Sequence, residues 1–79
     1  MTVAELGKLL ASIGVNPRRY DLSGSEPAAS EGIVIGLEGG KWSVRHFERG
    51  SWYTLGTFND ESVACEEALR RLRDPFYRR

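Results

Sequence analysis

Apolar and polar positions recur with two different periods along this chain, and the switch between them marks the elements. Leu6, Leu9, Leu10 and Ile13 recur at i, i+3, i+4 and i+7, one stripe of a helix. Ahead of them, Thr2 and Glu5 have the spacing of a capping box, in which each side chain satisfies the other's free backbone donor. Gly14 stands where a left-handed residue closes a helix, Val15 where a Schellman motif places its apolar contact, and Pro17 blocks continuation. The pattern predicts a helix over Val3–Ile13. Asn16-Pro17 and Ser23-Gly24-Ser25-Glu26-Pro27 are breaker-rich, so residues 16–31 read as a loop that Tyr20 and Leu22 pin to the core. A connection of that length is uncommon and points to a role of its own.

Period two then takes over. Ile33–Leu37, Lys41–Glu48 and Ser51–Phe58 read as strands joined by the two-residue turns Gly39-Gly40 and Arg49-Gly50. Those turns set the register. Glu38 faces Lys41, Leu37 faces Trp42, Ile35 faces Val44 and Ile33 faces His46; His46 then faces Tyr53, Val44 faces Leu55 and Trp42 faces Thr57. One face collects Ile33, Ile35, Leu37, Trp42, Val44, His46, Tyr53, Leu55 and Thr57, and a slip of one residue would scatter them. The last helix starts at Asn59 or Asp60. Asn59 as cap makes a staple of Phe58 and Val63, Cys65, Ala68, Leu69 and Leu72 form the apolar stripe, and Pro75 ends it. The expected fold is α+β, a single domain over residues 1–79. Its order is α-β-β-β-α, a three-stranded antiparallel meander with both helices on the Ile33/Val44/Leu55 face.

The charges change what this scaffold is expected to do. Eleven basic and eleven acidic residues cancel over 79 positions, which argues against a dedicated nucleic-acid binder, whose affinity is largely phosphate neutralisation. The balance is uneven along the chain: residues 1–40 carry three basic and five acidic side chains, residues 41–79 eight and six. One Cys and one His exclude a disulfide framework, a multi-Cys site and an all-His metal site. No apolar run reaches the length of a membrane span. The expectation is a cytoplasmic protein with Cys65 reduced, and with no cofactor and no metal site.

With both helices on one face, the other is expected to lie open. It presents Val34, Gly36, Glu38, Lys41, Ser43, Arg45, Phe47, Trp52, Thr54, Gly56 and Phe58. Gly36, Ser43 and Gly56 make a flat row beside the aromatic pair Phe47 and Trp52, with Arg45 and Thr54 adjacent. Aromatic and Arg side chains dominate interface hot spots, although such cross-strand pairs also stabilise small sheets, and Phe76-Tyr77 has the means to cover the row. The acidic side chains Asp21, Glu26 and Glu31 of the long loop are a second candidate partner surface. Arg70, Arg71 and Arg73, with Arg78 and Arg79 beyond them, are a basic run at a helix end, where the dipole favours cations; with Arg45 they form an alternative nucleic-acid surface. His46 falls on the core-facing row and Cys65 on a helix core stripe. No nucleophile or acid–base constellation emerges, so no enzyme is expected.

Gly39 to Gly50, then Thr57-Phe58-Asn59-Asp60-Glu61, Ala64-Cys65 and the earlier Tyr20-x-Leu22-x-Gly24, resemble small bacterial immunity proteins encoded beside secreted polymorphic toxins. The resemblance spans roughly residues 15–72 and rests on turn and core residues. It implies a non-enzymatic inhibitor that plugs the active site of a cognate toxin through surface residues private to each pair, so no site residue is carried over. Many inhibitors of nucleases are acidic, and this chain is neutral. The α-β-β-β-α order is also similar to double-stranded-RNA-binding domains and to plant-type three-strand DNA-binding domains. The first would need a basic helix start where Asp60-Glu61 stands; the second would read DNA with a sheet face that here offers only Lys41 and Arg45.

Overall fold

The computed structural model describes residues 1–78, Arg78 by its backbone only. Helix α1 spans Val3–Ser12 and α2 spans Glu61–Leu72. Between them lies a four-stranded mixed sheet in the order β1-β2-β3-β4, built from Tyr20–Asp21, Glu31–Glu38, Lys41–Glu48 and Ser51–Phe58. The α+β class holds, but the sheet is not a pure three-stranded meander. A 3-10 turn at Pro17–Arg19 leads into the two-residue β1, which runs parallel to β2 with Tyr20 beside Ile33 and Asp21 beside Val34. A second 3-10 turn, Pro75–Arg78, follows α2.

Local chemistry closes both ends of α1 as expected. Glu5 N–H donates to Thr2 Oγ1 at 3.2 Å and Thr2 N–H to Glu5 Oε1 at 2.8 Å. At the other end Val15 N–H donates to the Leu10 carbonyl and Gly14 N–H to that of Ala11, the paired bonds of a Schellman closure, with Gly14 at φ 82°. The helix ends at Ser12, with Ile13 as cap rather than its last residue. Of the two starts the sequence offers for α2, the chain takes Asp60, which caps the helix by accepting from Ser62 N–H at 2.7 Å. With the frame moved by one, Val63 is exposed and the Phe58–Val63 staple is lost; Phe58 packs on the core instead.

The register of β2 on β3 follows the sequence reading over its whole length. That of β3 on β4 does so only from the turn to Arg45 and Thr54. A bulge between Val44 and Arg45 then leaves Leu55 as the extra residue, so Val44 pairs with Gly56, Ser43 with Thr57 and Trp42 with Phe58. This overturns the expected pairs Val44–Leu55 and Trp42–Thr57. It also exchanges faces: Thr57 joins the outer row, and Gly56 and Phe58 turn inward. The gain is apolar, because Leu55 and Phe58 both pack against the core, which strict alternation forbids.

Leu6, Leu10, Val15, Ile33, Ile35, Val44, Ala64, Cys65, Ala68 and Leu72 form that core, between the two helices and one sheet face. Both helices lie on the Ile33/Val44 side, as their stripes require. Leu37 and Tyr53, on the same side, stay more than half exposed because they lie beyond the helices' reach.

The other face is not open. Val34 is fully buried, and Gly36, Ser43 and Phe47 are buried with it. The cover is the segment joining β1 to β2, not the C-terminal residues. Gly24 lies flat on Gly36, so close that a Cβ on Gly36 would meet the Gly24 Cα at 2.8 Å. Four residues earlier on the same strand, a Cβ on Gly32 would meet the Arg19 carbonyl oxygen. The C-terminal turn packs elsewhere: Asn16 N–H donates to the Tyr77 carbonyl at 2.9 Å, Tyr77 lies against the core, and the Arg19 guanidinium stacks on Phe76.

Candidate functional site

β3 and β4 bring Arg45, Phe47, Trp52 and Thr54 together on the covered side. Phe47 pairs directly with Trp52 and Arg45 with Thr54, one step back from the Arg49-Gly50 turn. The rings of Phe47 and Trp52 are 4.7 Å apart between centroids and tilted by 57°. The Arg45 guanidinium lies 4.4 Å from the centre of the Trp52 ring, in cation–π range. The three are not equally available. Phe47 is 4% exposed and forms the floor, whereas Trp52 is 41% exposed and forms the surface. Thr54 is exposed beside them.

Arg45 ties this stack to the cover. Its Nη2 donates to the Gly24 carbonyl at 3.4 Å and approaches Glu38 Oε1 at 3.6 Å. Its Nε is buried with no hydrogen-bond partner among the described residues. The guanidinium thereby lies against both a peptide carbonyl and an indole face. Trp52 also stands on the outer strand of the sheet, since among the described residues β4 pairs with β3 alone. β4 carries neither a charged residue nor a proline along its eight positions, the devices by which sheet edges are ordinarily protected.

The three acidic candidates do not share one surface. The Asp21 carboxylate accepts from Ser23 N–H, Ser23 Oγ–H and Ser25 N–H, so it shapes the start of the cover. Glu26 is exposed on the cover beside buried Pro27. Glu31 lies on the opposite sheet face, at the start of β2. Of the basic candidates, Arg70 and Arg71 both bond to Glu67, at 2.8 and 3.1 Å, and those bonds hold the Glu67 carboxyl below its usual range, with Arg70 the larger cause. Arg73 caps α2. Helix α2 packs on the Val44 face and Arg45 belongs to the other, so Arg45 and the helix-end arginines do not share a surface. Arg78 by its side chain and Arg79 altogether lie outside the described residues. Cys65 is fully buried, and burial, with Glu61 next, pushes its thiol above the usual range, away from nucleophile chemistry.

One group went unread in the sequence. Glu31, His46 and Glu48 converge where β2 begins and β3 ends. The signal was present: the register that sets Ile33 opposite His46 also sets Glu31 opposite Glu48 two residues on. His46 is not a core histidine but sits at the core's margin, its ring 6.1 Å from that of Tyr53.

No family model matches the chain, and neither a curated protein nor a solved structure is similar to it. No described helix is long and apolar enough to cross a membrane.

Proposed function

We propose that the protein is a small binding module of the immunity type, which blocks a bacterial toxin sterically, and that Trp52 with the β4 edge is its docking surface. One observation carries this reading: a large aromatic side chain, 41% exposed, packs against both the Arg45 guanidinium and the Phe47 ring at an uncharged strand edge. Trp is the side chain most enriched among interface hot spots. Packing of the ring before contact lowers the ordering cost of binding. The free edge offers backbone donors and acceptors to an extended segment of the partner. Thr54 extends the same surface. The nucleic-acid reading has less behind it, because Arg45 is engaged within the fold and Arg70 and Arg71 share Glu67.

Co-expression with the product of the adjacent gene tests the proposal, which requires that product to arrest growth. The wild-type chain relieves growth arrest, and Trp52→Ser removes that relief while circular dichroism and the unfolding midpoint stay near wild type. No relief by the wild-type chain overturns the immunity reading. Steeply salt-dependent binding to duplex RNA or DNA, lost on changing Arg70, Arg71 and Arg73, overturns the protein-binding reading itself.

A further inference from the structure

The margin of the helix-covered face, away from Trp52, holds two carboxylates and one imidazole. Glu31 and Glu48 are directly opposed on β2 and β3, and His46 lies two residues before Glu48 on the same side. One ligand atom from each lies within 4.8 Å of the other two. Like charges directly opposed across a strand pair repel. No lysine or arginine is paired with either carboxylate among the described residues; Arg19 donates instead to the main-chain carbonyl of Glu31. His46 Nε2 is the second, independent observation. It is buried as an atom and has no hydrogen-bond partner among the described residues, approaching Glu31 Oε2 at 3.5 Å without bonding geometry. That ring nitrogen faces two carboxylates with no hydrogen bond made to either, an arrangement of three electron-pair donors that a cation bridges.

We infer that Glu31, His46 and Glu48 bind a divalent first-row transition ion, with Zn2+ the best fit. Imidazole nitrogen and carboxylate oxygen are both ordinary Zn2+ ligands at about 2.0–2.2 Å. Bond lengths of that size require ligand atoms closer together than they now lie, which small side-chain rotations supply. The side chains of Glu31 and His46 are 30% and 23% exposed, so the ion has an entry path and water completes its coordination. The mixed nitrogen and oxygen set disfavours Mg2+ and Ca2+, which prefer oxygen alone. Bound there, the ion cancels the Glu31–Glu48 repulsion and staples the start of β2 to the Arg49-Gly50 end of β3. The site is independent of the docking proposal.

Titration of the full chain with ZnCl2 tests it. Zn2+ at about a hundredfold excess over its dissociation constant raises the unfolding midpoint by on the order of 10 °C, and isothermal calorimetry gives one ion per chain. Glu48→Gln and His46→Gln each lower Zn2+ affinity at least tenfold. Cys65→Ser leaves it unchanged. CoCl2 gives visible d–d bands in the wild-type chain, and these weaken in Glu31→Gln, a readout independent of stability. The absence of any midpoint shift or binding heat with Zn2+ overturns the inference. So does a shift that survives unchanged in both Glu48→Gln and His46→Gln, or one abolished by Cys65→Ser.

Discussion

The two faces of the sheet are closed by opposite means. On one, Ile33, Ile35 and Val44 meet Leu6, Leu10, Ala64, Cys65 and Leu72, and the space is filled by side-chain volume. On the other, Gly36 meets Gly24 and Gly32 meets Arg19 with no side chain between, so the face is closed by the near contact of main chains. The contrast explains how so short a chain buries both sides of a sheet. Its smallest dimension, 16 Å, has room for one layer of helices but not two. A filled face tolerates exchanges of shape and suffers from holes. A main-chain face suffers from any added atom.

The sharpest tests set the two faces against each other. Leu10→Ala opens a cavity under the helices and is expected to cost about 2–5 kcal/mol by chemical denaturation. On the main-chain face Gly36→Ala adds a single methyl and is expected to cost about 1–3 kcal/mol. Ile35→Val, the neighbour of Gly36 pointing the other way, removes one methyl for about 0.5–1.5 kcal/mol. If Gly36→Ala proves as mild as Ile35→Val, the cover does not rest on Gly24 as described. Trp52→Ser removes the aromatic and cation–π contacts and is expected to cost no more than about 1 kcal/mol, since the ring is half in solvent.

The smallest effect concerns Glu67. Its carboxyl is held low by Arg70 and Arg71, so the folded state favours the ionised form. Its contribution is present above the ordinary carboxylate range and is lost as pH falls through the lowered value. Glu67→Gln is expected to cost only tenths of a kcal/mol at neutral pH and to flatten that acid dependence. Cys65 works in the opposite direction. Its raised value favours the protonated thiol in the folded state, so stability falls at alkaline pH, above the thiol's ordinary range. Reaction with a thiol reagent at neutral pH is expected to track unfolding.

The helix-filled face was largely legible in the sequence, and the main-chain face was not. Leu6, Leu10, Cys65, Ala68 and Leu72 declare themselves by period, and Gly39-Gly40 fixes a register whose error would be visible at once. The cover leaves no such trace. Gly24 and Gly36 read as a turn residue and a flat spot, and only their distance in space makes them a contact. Tyr20–Asp21 is too short for a strand to show any alternation. The bulge at Leu55 hid for a related reason: strict alternation already gave an apolar inner row, and nothing in Leu55-Gly56-Thr57-Phe58 marks the residue left out. The same limit applied to the site. Arg45, Phe47, Trp52 and Thr54 come from two strands joined by a two-residue turn, so register sufficed to assemble them. Asp21 and Glu26 depended on a segment whose path no pattern reveals.

That segment also has a consequence in time. β2, β3 and β4 are linked by two-residue turns and zip together from neighbours in sequence, whereas β1 is held by two residues and must return to β2 across a long connection. Closing the glycine contact is therefore expected late in folding and its release early in unfolding. Native-state hydrogen exchange should show amides of residues 22–30 opening well before those of β3. In that half-open form Val34 and Phe47 meet solvent beside an uncharged edge strand, and the same lifting of a short flap that precedes unfolding also exposes the molecule to aggregation.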